Sequence, residues 1–184
     1  MRTRLFGRVA AFAAAAVLAA SAAQAVEQGD RAPAWMRVDF DDRPVMFPGV
    51  LEGRPAVLVF WATWCPYCRA LMPYLEGIQA DYADAGVKII AINAKEDGAE
   101  DPKAYIRGLG FPLIAVQDGD AIAAAYDVEY IPGLMIVGGD GLVAWRRAWT
   151  DLPAGRQVAE LWAGQIREQL DALLGAEPRA RRSR

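Results

Sequence analysis

The chain holds two cysteines, in the run Trp64-Cys65-Pro66-Tyr67-Cys68, and no histidine. A closed zinc site takes about four Cys or His ligands, so two sulfurs without an imidazole do not build one. A purely structural crosslink is a poor use of the pair, because closing so short a loop removes little entropy from the unfolded chain. The spacing fits a dithiol that opens and closes. A structural loop disulfide and a soft-metal site are the lesser alternatives.

What positions the pair can be read on either side of it. Residues 56–61, Ala-Val-Leu-Val-Phe-Trp, form a continuous apolar run of the kind covered on both faces of a sheet. A short turn follows, then a helix from about Cys65 to Tyr82 with Leu71, Leu75 and Ile78 at helical spacing and Gly86 beyond its end. Cys65 thus falls at a helix N-terminus, where unpaired N–H groups and the macrodipole favour an anion. Thiolate is the reactive form, so Cys65 is expected to have a lowered pKa and to be the nucleophile. Cys68, nearly one turn further in, is expected to be more buried and to displace the captured partner. Pro66 suits the first turn, and Pro73 should kink the helix later on.

The remaining pattern supplies the frame. Residues 35–40 and 44–47 read as a small hairpin turning at Asp41-Asp42-Arg43. A second buried-type strand spans 87–93, and a polar loop leads to a helix over 101–109 with Pro102 in its first turn. A short strand at 113–116 and a short helix at 120–126 come next. Strands 133–137 and 142–146 flank Gly138-Gly139-Asp140-Gly141, a strong hairpin signal. A last helix over 153–174 carries Val158, Leu161, Trp162, Ile166, Leu170 and Leu173 on its apolar face. Trp145, Trp149 and Trp162 read as packing around these last elements, not as a ligand box. The class is α/β, with a central mixed β-sheet flanked by helices.

The first 25 residues read as an export signal. Arg2, Arg4 and Arg8 precede an apolar run from Val9 to Ala20, and Ala23-Gln24-Ala25 gives the small-x-small pattern before a cleavage point. That run is shorter than the roughly twenty residues that span a bilayer, so cleavage after Ala25 is favoured over a membrane anchor. Removal of the leader leaves 17 basic against 23 acidic residues, an acidic balance that argues against nucleic acid as partner. Residues 26–175 then form one domain, and 176–184 a basic tail expected to be disordered. Export also implies a periplasm-like compartment in which disulfides persist.

The stretch Phe60-Trp-Ala-Thr-Trp-Cys-Pro-Tyr-Cys68 closely resembles the active-site segment of the thioredoxin superfamily. Pro73 stands where that family has its helix-kinking proline, and Ile131-Pro132 matches its cis-proline loop, which faces the Cys pair and pairs with substrate backbone. The leader, the N-terminal hairpin, the tract Gly86-Val-Lys-Ile-Ile-Ala-Ile-Asn93, an inserted helical segment and the tract Ala125–Val137 are similar to the TlpA-like exported thioredoxins. The resemblance implies a thioredoxin-like fold with Cys65 and Cys68 catalytic, and with Trp64, Pro66, Tyr67, Ile131 and Pro132 as substrate-binding residues. It implies no cofactor beyond the dithiol and no metal. Three positions depart from the family pattern. Val59 stands at the buried aspartate of thioredoxin, Leu71 at a glutamate frequent in TlpA-like reductases, and Gly133 where a threonine is common. Glu96 or Lys95 is a conceivable substitute base, although loop charges of this kind usually serve only solvation.

By that resemblance the expected function is a monomeric periplasmic thiol–disulfide reductase. Its partners would be exported proteins with disulfides or thiols, such as cytochrome c precursors or copper-site assembly proteins, and a membrane thiol transporter would supply electrons. A dithiol oxidase or isomerase of the DsbA type is the second reading, although only about thirty residues separate Asn93 from the helix before the proline loop, too few for that group's helical insertion. A non-catalytic chaperone or metallochaperone using Trp64 and Tyr67 is the third.

Overall fold

The computed structural model describes residues 25–148 and 157–175. Most of the expected leader, the basic tail, Trp149 and the first residues of the expected last helix lie outside them. Five strands form the central sheet in the order β5-β4-β3-β6-β7: β3 (Ala56–Trp61), β4 (Lys88–Asn93), β5 (Ile114–Val116), β6 (Gly133–Val137) and β7 (Val143–Arg146). β3 is parallel to β4 and antiparallel to β6, which makes the sheet mixed. The hairpin β1 (Trp35–Val38) and β2 (Pro44–Phe47) is a separate two-stranded sheet.

The apolar run of β3 is buried on both sides because it is the middle strand. Val57, Val59 and Trp61 alternate into one apolar cluster, and Ala56, Leu58 and Phe60 into the other. The first cluster is closed by helices α1 (Pro66–Asp81) and α4 (Gln157–Leu174), with Tyr105, Ile106 and Leu109 of α2 (Pro102–Leu109) against its margin. The second is closed by α3 (Asp120–Ala125) and the hairpin, whose Trp35 stacks on Phe47 at 5.2 Å. Helices on both faces are thus a consequence of where the long apolar strands sit.

The segment before β3 also shields both sheet edges. The Gly29 amide donates to the Val143 carbonyl and the Val143 amide to the Asp30 carbonyl along β7, and Phe40 donates to the Ala115 carbonyl beside β5. Covered edges do not recruit foreign strands. Two local features were not foreseen from the sequence: a 3-10 turn over Gly49–Leu51 and a cis Phe47–Pro48 peptide.

One part of the expected pattern needs correction. On α4, Leu161 and Leu173 are exposed, and Ala159 and Ala163 join Val158, Trp162, Ile166 and Leu170 in the core. The buried stripe follows the i, i+4 rows from 158 and 159, and residues 161 and 173 lie off those rows. No helix among the described residues is long and apolar enough to cross a membrane.

Candidate active site

Cys65 is the N-cap of α1, with extended backbone, and Pro66 opens the helix. The two cysteines form a disulfide with their Cα atoms 5.3 Å apart. The Cys68 amide donates to Cys65 Sγ at 3.1 Å. An N–H aimed at that sulfur, together with the helix N-terminus behind it, stabilises negative charge on Cys65 once the bond opens. Cys68 is wholly buried and Cys65 is 2% exposed, while Trp64 and Tyr67 on either side are 45% and 46% exposed. Pro66 is exposed as well. Pro73 lies inside α1.

The turn that presents Cys65 is held from the loop after β4. Glu96 accepts hydrogen bonds from the Thr63 amide at 3.0 Å, from the Thr63 hydroxyl and from Asn93 Nδ2 at 2.7 Å. Trp64 Nε1 donates to the Lys95 carbonyl at 2.6 Å, and Lys95 itself has φ 60°. Arg69 of α1 donates to the Thr63 carbonyl, pairs with Glu100 at 2.9 Å and covers the Tyr105 ring. Nothing in the sequence pattern marked Thr63, and Glu96 entered only as a conceivable base. Its contacts make it a brace for the turn.

The positions of the missing acids are filled with hydrocarbon. Val59 and Leu71 are fully buried in the same cluster as both sulfurs. The buried acids among the described residues are Asp39, in the hairpin turn, and Asp171, which accepts from the Tyr82 hydroxyl at 2.8 Å.

Strand pairing puts Pro132 at the same end of the sheet as the dithiol turn. Phe60 of β3 is opposite Gly133 of β6, so the segments leaving β3 and entering β6 lie at one end of the sheet. The Ile131–Pro132 peptide is cis, Pro132 is buried and Ile131 half-buried against the core. Gly133 has a steric cause. A Cβ there would come within 2.7 Å of Val128 Cγ1 and 3.2 Å of Phe60 Cβ, closer than carbon atoms pack. No threonine fits without moving Val128.

A group that sequence reasoning missed adjoins this loop. Arg147 is 5% exposed, yet Nη2 donates to the Pro132 carbonyl at 2.6 Å. Its guanidinium lies 4.8 Å from the Tyr130 ring centroid and 4.6 Å from that of Trp162. Trp162 in turn meets Tyr67 edge-on at 6.1 Å. Burial pulls the Arg147 pKa below the usual arginine value, with the Tyr130 phenol acting in the opposite sense. Burying such a charge costs several kcal/mol, and two desolvated cation–π contacts at about 2 kcal/mol each offset part of it. A basic residue after a strand reads as surface, so its type gave no warning.

Residues 28–146 match the family described as AhpC/TSA. The chain belongs to the AhpC/TSA family. Among similar curated proteins, the thiol-disulfide oxidoreductase ResA of Bacillus thuringiensis (strain Al Hakam) is 30% identical over 148 residues, 79% of this chain and 76% of that protein. The thiol:disulfide interchange protein DsbE of Escherichia coli (strain K12) is 31% identical over 121 residues, 64% of this chain and 63% of that protein. Among solved structures, a putative DsbE from Chlorobium tepidum superposes with a TM-score of 0.69 at 21% identity, over 82% of this chain and all of that one, a likeness of fold. This AhpC/TSA member is thus a thioredoxin-like thiol–disulfide oxidoreductase, with a CxxC pair at Cys65 and Cys68.

Proposed function

We propose that this protein is an exported, periplasmic reductase of disulfides in other exported proteins. The observation that carries the proposal is the Cys65–Cys68 disulfide capping α1, with the Cys68 amide on the Cys65 sulfur. In the reduced form the Cys65 thiolate attacks one sulfur of a client disulfide. A Cys65–client S–S bond forms, the client bond breaks, and the released client thiolate takes up a proton. Cys68 then loses its proton and attacks Cys65 Sγ. That step re-forms the intramolecular disulfide and frees the second client thiolate, so two electrons pass to the client.

At 2% exposure in the disulfide form, Cys65 needs the groups around it to shift before an incoming thiolate reaches it. Trp64, Tyr67 and Pro66 form the client-facing rim, and Ile131 and Pro132 offer backbone to an extended client segment. A membrane thiol transporter returns the electrons, no cofactor beyond the dithiol takes part, and the protein acts as a monomer. Cytochrome c precursors and copper-site assembly proteins are clients of the right class, being exported chains that need free thiols.

Equilibration with glutathione buffers tests the direction of transfer. A potential of about −270 mV, like thioredoxin's, is expected, and one of about −120 mV would make the protein an oxidant and overturn the reading. Cys68→Ser should trap clients as mixed disulfides on Cys65, and the trapped chains name the clients. Between β4 and β6 the described helices are the short α2 and α3, which supports the reductase over an oxidase with a large helical insertion.

A further inference from the structure

The loop that enters β6 is held by three basic side chains and four of its own carbonyls. Arg146 donates to the carbonyls of Tyr126 at 2.6 Å and Asp127 at 2.6 Å, and Lys95 Nζ to that of Glu129 at 3.3 Å. Arg147 holds the Pro132 carbonyl at 2.6 Å. Arg146 and Lys95 are partly or fully exposed, so water can replace them. Arg147 differs. It is buried, and among the described residues no carboxylate pairs with it and its Nε has no acceptor. A guanidinium is more weakly hydrated than an ammonium and stacks on aromatic faces, and its planar fork fixes an acceptor in direction as well as distance.

We infer that Arg147 is a positioning residue for client capture: its guanidinium, clamped between Tyr130 and Trp162, fixes the Pro132 carbonyl and with it the backbone that an extended client segment pairs with. The contact runs on through Trp162 to Tyr67, so the same cation ties the proline loop to the aromatic rim beside Cys65. The inference rests on the reductase reading and goes beyond it, because it separates the grip on a macromolecular client from the chemistry of the sulfurs. A small disulfide that needs no backbone partner should not sense Arg147.

The test uses the protein lacking its leader, reduced by dithiothreitol, with insulin as protein disulfide and 5,5′-dithiobis(2-nitrobenzoate) as small one. Arg147→Met keeps the length and apolar stem but loses the cation and its donors. It should raise KM for insulin about tenfold, as expected for loss of a charge-assisted hydrogen bond that orders a binding segment, with kcat and the rate on the aromatic disulfide within about twofold. Arg147→Lys keeps the charge without the fork and should fall between, at about threefold in KM. Faster amide hydrogen exchange across residues 130–134 of the Lys variant should accompany it, and supplies the readout if the Met variant does not fold. An equal fall of both rates, or an unchanged KM for insulin in a folded Lys variant with unaltered exchange, overturns the inference. If the unaltered protein reduces neither disulfide, the reductase reading fails and this inference falls with it.

Discussion

Replacing Glu96 by alanine removes the acceptor of three hydrogen bonds at the base of the dithiol turn. Two of the donors, the amide and hydroxyl of Thr63, belong to a residue with no exposure, and Asn93 keeps a long contact of 3.4 Å to the Trp61 carbonyl. A buried donor left without a partner costs about 1–3 kcal/mol, so the two Thr63 groups set an upper figure of about 2–6 kcal/mol. Glu96 is only half-buried, so water can occupy part of the vacated space, and we expect a net loss of about 2 kcal/mol. Glu96→Gln retains one carbonyl oxygen and should lose about 1 kcal/mol. Urea unfolding of the oxidised protein reads both values. Pairing each variant with Thr63→Val should give a coupling energy of about 1 kcal/mol, because the hydroxyl and the carboxylate satisfy one another. If Glu96→Ala costs less than about 0.5 kcal/mol and shows no coupling to Thr63, the carboxylate is a solvated loop charge and its assignment as a brace is wrong.

Gly133→Ala should destabilise by about 1–3 kcal/mol through overpacking against Val128 and Phe60. In a Val128→Ala background that cost should fall, and strictly additive urea midpoints would show that the contact does not limit the site. Asp39 is expected to make stability pH-dependent. Burial raises its pKa, but hydrogen bonds from the Arg43 and Asp41 amides and from the Arg43 guanidinium outweigh it, so the net pKa is lowered. A lowered folded-state pKa contributes stability above the unfolded value of about 3.9 and loses it as pH falls through the folded value. Asp39→Asn should therefore lower Tm at pH 7, with the gap from the native chain closing below about pH 4. A gap that is constant with pH would remove the charge from the explanation.

The elements around the dithiol were legible because each carries its own local cause. The run 56–61 has the length and β-rich apolar composition of a doubly covered strand, Pro66 and Pro102 mark first helical turns, and Gly138–Gly141 marks a hairpin. The helix start that makes Cys65 an N-cap followed from those signals without any tertiary knowledge. What escaped depends on distant segments meeting. Glu96 and Thr63 lie 33 positions apart, and Arg147 meets Trp162 across residues that share no periodicity. The exposed Leu161 and Leu173 show the same limit, since an apolar stripe on α4 can be drawn several ways until its partner surface is known. Gly133 was visible as a departure, but the reason, Val128 and Phe60 filling the space, is purely three-dimensional.

Because α4 supplies Trp162, the frame around the sulfurs is finished by the last of the described helices rather than by the segment that contains them. A fragment ending before residue 157 would retain Cys65, Cys68 and Pro132 and yet lack the ring that seats Tyr67 and one side of the Arg147 sandwich. Redox measurements on shortened forms would then describe a naked thiol pair, and only chains reaching through α4 report on how this protein selects its thiol–disulfide partners.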